Sequence, residues 1–163
     1  SGLTPNATFT VANGALNFES GKDSVPYTIG GFLTSGGATA TYAAGSGSGD
    51  TDANTIITMA GFVSMVNGQT YETEHDDGLE LTIGGDNVVN APGPTSAEST
   101  PFTWTGASGN YAFSLEYSEI NGAPAVLQTD LPLSSTVPDS ATTMGMLSLG
   151  LGGLAAFGRR FRK

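Results

Sequence analysis

TYETEHDDGLELTIGG, residues 70–85, is the most informative stretch of this chain. On both sides of its polar centre, polar residues alternate with apolar or small ones. The apolar or small positions are Tyr71, Thr73, Leu79, Leu81 and Ile83. A period of two is typical of β-strands that bury one face. Asp-Gly is a common turn dipeptide, so we expect Asp76-Asp77-Gly78 to lie at the tip of a β-hairpin.

The same alternation recurs along the chain. It is clearest from Tyr111 to Tyr117, where aromatic and aliphatic residues alternate with small or polar ones. Further short β-patterns occupy residues 8–11, 15–18, 39–42, 54–66, 101–105 and 125–131. Gly, Asn, Asp and Pro separate these segments, and no stretch before residue 141 shows a sustained helical period. The pattern predicts an all-β fold, either an antiparallel sandwich or a barrel.

Composition narrows the class of function. The chain has 163 residues, no cysteine, 24 glycines and a net charge of −10. Without cysteine there is no disulfide framework and no thiolate metal site. Residues 1–138 hold one cation and fourteen carboxylates, a net charge of −13. This balance argues against nucleic acid as a partner, because phosphates need Lys or Arg. It is compatible with cation binding.

The last 27 residues differ from the rest of the chain. They contain the motif Val137-Pro138-Asp139-Ser140, an apolar segment at 144–157 and a basic cluster at 159–163 that includes Arg159, Arg160 and Arg162. A segment of fourteen residues is short for a permanent span, which needs roughly 20. We expect a transient inner-membrane association through 144–163, with the arginines on the cytoplasmic side. A C-terminal helix packed on the domain and a plain membrane anchor are the alternatives.

The order of motif, apolar segment and basic cluster resembles the PEP-CTERM sorting signal of Gram-negative bacteria, in its Val-Pro-Asp-Ser variant. The resemblance covers residues 137–163. It implies an exported protein, an exosortase as the partner of the tail, and a final location at the cell surface or in the exopolysaccharide matrix. It also implies that residues 134–136 are a linker between the main domain, 1–133, and the sorting signal.

Residues 72–77 form the one dense polar constellation, with the carboxylates of Glu72, Glu74, Asp76 and Asp77 beside His75. Adjacent carboxylates repel each other unless a cation lies between them. Calcium suits this role because it takes six to eight oxygen ligands at about 2.3–2.6 Å. The alternative is a plain tight turn.

The stretch 70–131 resembles the protective-antigen-type β-sandwich, the superfamily of the flocculin and GLEYA adhesins, in its bacterial PEP-CTERM version. The matching parts are the strand that leads into 75–78, the segment 79–85, the strand 111–117 and the loop 118–125. The resemblance implies a single jelly-roll-like β-sandwich. A short apolar helix or tail would follow it.

In the lectin members of that superfamily, tandem aspartates bind calcium, often through a cis peptide, and sugar hydroxyls complete the metal shell. Carried over to this chain, Asp76 and Asp77 match the aspartate pair, and Glu119 and Asn121 are the predicted metal ligands of the second loop. Glu119 stands where the flocculin type has Asn. The remaining residues predicted to bind ligand are His75, Gly78 and Gly122.

Two aromatic or ring-bearing residues have alternative roles. His75 falls on the same side of its strand as Tyr71 and Thr73, so it is also interpreted as a packed strand-end residue. Trp104, the only tryptophan, is predicted to fill the core, and stacking on a sugar as an exposed aromatic is the alternative.

The sequence does not predict an enzyme, because neighbouring carboxylates on one turn do not form the cleft of a glycosidase. We expect a calcium-assisted glycan-binding or adhesin module whose partner is exopolysaccharide or another glycan. The alternative is a non-catalytic structural protein of the biofilm matrix, which self-associates through its sheet edges and binds no sugar.

Overall fold

The computed structural model describes residues 4–12 and 14–135. In this part of the chain, strands alternate with turns, and one short helix lies between the second and third strands. The elements are β1 (Ala7–Thr10), β2 (Asn17–Ser20), α1 (Ile29–Ser35), β3 (Thr39–Tyr42), β4 (Thr55–Met65), β5 (Thr70–Asp76), β6 (Gly78–Ile83), β7 (Asp86–Ala91), β8 (Glu98–Thr103), β9 (Gly109–Glu119), β10 (Ala125–Thr129) and β11 (Leu133–Ser134).

Two antiparallel sheets form the sandwich. The four-stranded sheet has the order β2-β10-β5-β8, and the five-stranded sheet has the order β11-β4-β9-β6-β7. A separate two-stranded sheet joins β1 to β3. The longest pairing joins β4 and β9 from Thr55↔Glu119 to Met65↔Gly109. The all-β sandwich predicted from the sequence is confirmed.

The core lies between the inner faces of the two large sheets, as the two-residue period requires. Buried side chains from both sheets meet there, including Phe18, Tyr71, Leu79, Leu81, Ile83, Leu115, Tyr117 and Leu127. Each large apolar side chain buried in this way contributes about 1.5–3 kcal/mol to stability. Trp104 is 3% exposed, which confirms its predicted place in the core.

The sequence reading missed helix α1. Thr28 caps it, because its Oγ1 accepts a hydrogen bond from the backbone N–H of Gly31 at 3.0 Å. Phe32 then stacks on Phe18 at 5.2 Å between ring centroids and on Tyr117 at 5.5 Å. Seven residues with two glycines show too little helical period to be recognised, so packing on the core stabilises this helix.

Three boundaries differ from the prediction. Strand β7 was not predicted, and strand β8 begins at Glu98, three residues before the pattern at 101–105. The paired strands reach Ser134, which pairs with Phe62 and lies one residue past the predicted domain end at 133. Strand β2 begins at Asn17, two residues later than the pattern at 15–18 suggested.

Candidate metal and ligand site

The expected hairpin at Asp76-Asp77-Gly78 is wrong. Strand β5 pairs with β10 and β8, whereas β6 pairs with β9 and β7. The chain therefore passes from one sheet of the sandwich to the other between Asp76 and Gly78. A turn dipeptide between two strands is compatible with a hairpin and with a passage from one sheet to the other. Only the pairing partners of the two strands distinguish these geometries. The Asp76–Asp77 peptide bond is cis.

Asp77 joins the two loops at this end of the sandwich. Its Oδ2 accepts hydrogen bonds from the backbone N–H groups of Ile120 at 2.8 Å and Asn121 at 3.0 Å. Its Oδ1 accepts one from the backbone N–H of Thr95 at 2.9 Å and one from Asn121 Nδ2 at 3.4 Å. The carboxylate of a residue that is 1% exposed thus fixes loop 92–97 against loop 120–124.

Asp76 ends strand β5 and is 8% exposed. Asp76 and Asp77 both line a pocket between the two loops. Burial raises the pKa of Asp76, and the negative charge of Asp77 raises it further, while a hydrogen bond from the backbone of Ala97 lowers it. Burial and the adjacent charge therefore disfavour the ionised form of Asp76 in the absence of a cation.

Glu119 ends strand β9 and is 1% exposed. Its Oε1 accepts a hydrogen bond from the hydroxyl of Tyr27 at 2.9 Å, and its Oε2 accepts one from the hydroxyl of Tyr117 at 3.1 Å. Burial raises the pKa of Glu119 to about 7, and the charges of Asp77 and Asp76 also raise it, although the two tyrosine hydroxyls lower it. The site therefore holds a carboxyl group that titrates near neutral pH.

Tyr27 and Tyr117 both lie close to the negative charge of Glu119. Burial raises the pKa of Tyr27, and so do its hydrogen bond to Glu119 and the charges of Glu119, Asp52 and Asp77. Burial and the nearby Glu119 likewise raise the pKa of Tyr117, whose hydroxyl also donates to the carbonyl of Asp76. Both hydroxyls are therefore hydrogen-bond donors at neutral pH.

The structure brings together three of the four predicted metal ligands as an acid cluster, Asp76, Asp77 and Glu119. One carboxylate oxygen of each lies within 4.8 Å of the other two. Two oxygens that share one calcium ion at about 2.3–2.6 Å lie at most about 5 Å apart, so the spacing fits this ion. The donor set, three hard carboxylates, is also the type that calcium prefers.

The fourth predicted ligand, Asn121, lies beside the acid cluster through its hydrogen bonds to Asp77. Asn121 and Gly122 line the pocket together with Pro124, and residues 94–97 form the opposite wall. The second predicted loop therefore reaches the tandem aspartates, as the sequence indicated.

His75 and Gly78 lie behind the acid cluster and do not line this pocket. His75 is fully buried, with Nδ1 at 2.5 Å from the carbonyl oxygen of Asp77 and Nε2 at 2.9 Å from Oγ1 of Thr100. A Cβ on Gly78 would lie 2.5 Å from Oγ of Ser118 and 2.6 Å from the carbonyl oxygen of Pro92. His75 therefore supports the backbone of Asp77, and Gly78 allows the close approach of Ser118 and Pro92.

Sequence reasoning missed two contributors to the site, Tyr27 and Thr95. Tyr27 precedes the unrecognised helix, and Thr95 lies in a proline-rich loop that carries no functional pattern. No local signal identifies either residue, because each reaches the acid cluster only through the tertiary fold.

The predicted sorting residues Val137, Pro138, Asp139, Ser140, Arg159, Arg160 and Arg162, and the segment 144–163, lie outside the described residues. Within residues 4–12 and 14–135, no helix has the length and hydropathy needed to span a bilayer.

No family model matches the chain, and no curated protein matches it. Two solved structures are similar to it. The PA14 sugar-binding domain from an RTX adhesin has a TM-score of 0.52 and 21% identity, over 82% of this chain and 74% of that chain. The PA14 domain of the MpAFP antifreeze protein has a TM-score of 0.53 and 25% identity, over 86% of this chain and 75% of that chain. The chain therefore has the β-sandwich fold of a PA14 domain.

Proposed function

We propose that this chain is a calcium-assisted glycan-binding module of an exported, adhesin-like protein. The observation that carries the proposal is the acid cluster, in which three buried carboxylates meet and two of them, Asp76 and Asp77, line a pocket. The name of one structural neighbour, a sugar-binding domain of an adhesin, supports the same ligand class. Both neighbours come from proteins of the adhesin or antifreeze type, which supports an extracellular or surface location.

Among the described residues, no lysine or arginine pairs with the acid cluster. Lys22 is the only lysine or arginine among the described residues, and its Nζ lies 3.6 Å from a carboxylate oxygen of Glu19. Burying unpaired carboxylates is costly, so such groups either take up protons or hold a metal ion. The raised pKa values of Asp76 and Glu119 favour proton uptake in the absence of a metal ion. Calcium binding would be the other way to stabilise these carboxylates.

In this proposal Asp76, Asp77 and Glu119 hold the ion. When bound there, calcium would supply a positive centre for vicinal sugar hydroxyls. The chain's own residues do the rest: Asp77 keeps the two loops together, and the hydroxyls of Tyr27 and Tyr117 orient Glu119. Turning the side-chain amide of Asn121 would direct its oxygen, in place of nitrogen, at the cluster.

The test of this function is a glycan array probed with the full chain in saturating calcium and then in EGTA. We expect a subset of glycans to retain the protein only in calcium, and the Asp76→Asn variant to lose that retention. Retention of no glycan in calcium, with a correctly folded protein, would overturn the proposal.

The sorting of the protein is a second part of the proposal. We infer that residues 137–140 are recognised by an exosortase after the segment 144–157 and the basic cluster 159–163 have engaged the inner membrane. The intact mass of the protein purified from the bacterial surface tests this inference. A mass that lacks the residues after the motif is expected, and a mass that includes Arg159 to Lys163 would contradict it.

One observation favours the alternative, a structural matrix protein that self-associates without sugar. Asp77 already accepts four hydrogen bonds from amide groups, which satisfy its carboxylate without an ion. In that case calcium has no effect on glycan retention, and the purified protein forms oligomers in the absence of glycan. Sedimentation in calcium and in EGTA distinguishes the two functions.

A further inference from the structure

A polar groove runs along the outer face of the four-stranded sheet, on the side away from the core. Six of its residues carry hydrogen-bonding or charged side chains, and these define the sheet groove: Asn17, Glu72, Glu74, Ser99, Gln128 and Asp130. None of these six side chains is assigned to the acid cluster.

The sheet groove and Asp76 of the acid cluster share strand β5. Glu72, Glu74 and Asp76 are alternate residues of β5, so they project from the same face of the sheet. Successive members are about 7 Å apart along the strand. A ligand that contacts Asp76 at the pocket therefore meets Glu74 and then Glu72 if it extends along β5.

The sheet groove also extends across all four strands. Asn17 is opposite Gln128, Gln128 is opposite Glu74, and Glu74 is opposite Ser99. These four residues form one row of two amides, a carboxylate and a hydroxyl. Neighbouring strands are about 4.8 Å apart, so the row presents closely spaced donors and acceptors.

The charge of the sheet groove is negative and unpaired. Glu72 and Asp130 are exposed, Glu74 is half-buried, and none of the three forms an ion pair within residues 4–12 and 14–135. Asp130 Oδ1 accepts the backbone N–H of Glu72 at 2.9 Å, which holds the two residues side by side. An anionic polymer would be repelled here, whereas a cationic one would be attracted.

We propose that the sheet groove binds a glycan chain whose sugars carry protonated amino groups, with one end of the chain at the acid cluster. The inference rests on the proposed function and extends it from a single sugar to a polymer. Amides and the hydroxyl of Ser99 pair with sugar hydroxyls, and Glu72, Glu74 and Asp130 pair with ammonium groups through charge-assisted hydrogen bonds.

The test compares glucosamine oligosaccharides with their fully N-acetylated counterparts, using the full chain in calcium and in EGTA. Acetylation removes the positive charge and keeps the sugar ring. We expect the amino form to bind more tightly, and added salt to weaken its binding. In the Glu72→Gln/Glu74→Gln variant we expect binding of the amino form to fall roughly five- to tenfold, because exposed charge pairs contribute little each.

The matched control is the Glu80→Gln/Glu116→Gln variant. Glu80 and Glu116 are exposed and are opposite each other on the outer face of the five-stranded sheet. The control makes the same change of charge away from the groove, and we expect it to bind like the wild type. Equal binding of the amino and acetylated forms, or equal loss in both variants, would overturn the proposal.

The two proposals fail in different ways. The Asp76→Asn variant tests the acid cluster, because we expect it to lose all calcium-dependent sugar binding. The salt-sensitive binding of the amino form in EGTA tests the sheet groove. If Glu72→Gln/Glu74→Gln does not weaken this binding, the groove proposal is contradicted and the calcium-site proposal is not. Circular dichroism of each variant verifies that the sandwich is folded.

Discussion

The hydroxyl of Tyr27 donates a hydrogen bond to Oε1 of Glu119 at 2.9 Å, across 92 positions of the chain. Tyr27 lies just before helix α1, and Glu119 ends the strand that leads into the second loop of the site. The first part of the chain therefore completes the acid cluster, although the sequence places no recognisable motif there.

Removing this hydroxyl tests its role. We expect Tyr27→Phe to lower the free energy of unfolding by about 1 kcal/mol, because one hydrogen bond to a buried group is lost. We also expect weaker calcium binding near neutral pH, since the pKa of Glu119 rises further without this donor. Calcium titration by calorimetry measures the second effect. Tyr42→Phe, on β3, is the control, and identical calcium binding in both variants would contradict the assigned role.

The raised pKa of Glu119 makes the stability of the metal-free protein depend on pH. Because the folded pKa of about 7 exceeds the ordinary value of 4.5, the folded state binds a proton that the unfolded chain releases. This contribution is fully present below about pH 4.5 and is lost as pH rises through about 7, a change of about 3 kcal/mol. Urea unfolding in EGTA should show stability falling from about pH 5 to about pH 8.

Two controls make the pH prediction specific. In Glu119→Gln the slope should decrease, leaving contributions in the same direction from Asp76 and Asp52, whose pKa values are also raised. In saturating calcium the slope should reverse, because the ion binds ionised carboxylates. A slope in Glu119→Gln equal to that of the wild type would show that another group is responsible.

Gly78 provides a steric test of the sheet-to-sheet passage. An added methyl group would collide with Oγ of Ser118 and the carbonyl oxygen of Pro92. We expect Gly78→Ala to destabilise the protein by about 1–3 kcal/mol and to displace loop 92–97. Gly93→Ala is the matched control, because a Cβ there meets nothing within 4 Å. Thermal melting of both variants provides the comparison, and equal melting temperatures would refute the packing role.

His75 is expected to act through Asp77 and not through the ligand. His75→Leu leaves the carbonyl of Asp77 and the hydroxyl of Thr100 without their partner, which costs about 1–3 kcal/mol. Calcium affinity should fall with stability, while glycan affinity in saturating calcium stays unchanged. If glycan affinity falls at full calcium occupancy and stability is intact, His75 contacts the ligand directly, which was one of its two predicted roles.

The strands were predictable because their two-residue period reflects one buried face. The apolar residues of 113–117 and 79–83 take the positions in the core that their alternation indicated, and Tyr111 packs against this core. The passage at Asp76-Asp77-Gly78 was not predictable from pattern alone. Alternation on both sides of a turn dipeptide is the same whether the two strands pair with each other or belong to different sheets.

The tandem aspartates and the loop at 119–122 were identified through the family resemblance, and the fold brings them together. Spacing along the chain cannot reveal that Thr95 donates to Asp77, or that Tyr27 and Tyr117 share Glu119. These contacts depend on loop conformations and on a short helix with little periodicity. The sheet groove likewise depends on strand order, because Asn17, Glu74 and Gln128 become neighbours only through β2-β10-β5 pairing.

The most direct measurement is thermal melting of the full chain in saturating calcium and in EGTA, for the wild type and for Asp76→Asn. Asp76 is preferred to Asp77, because Asp77 also holds the two loops. A ligand at 100 times its dissociation constant adds about 2.7 kcal/mol to the free energy of unfolding. We predict that calcium raises the melting temperature of the wild type and of the control Asp86→Asn, but not that of Asp76→Asn. Equal melting of the wild type in calcium and in EGTA would contradict a calcium site at Asp76, Asp77 and Glu119.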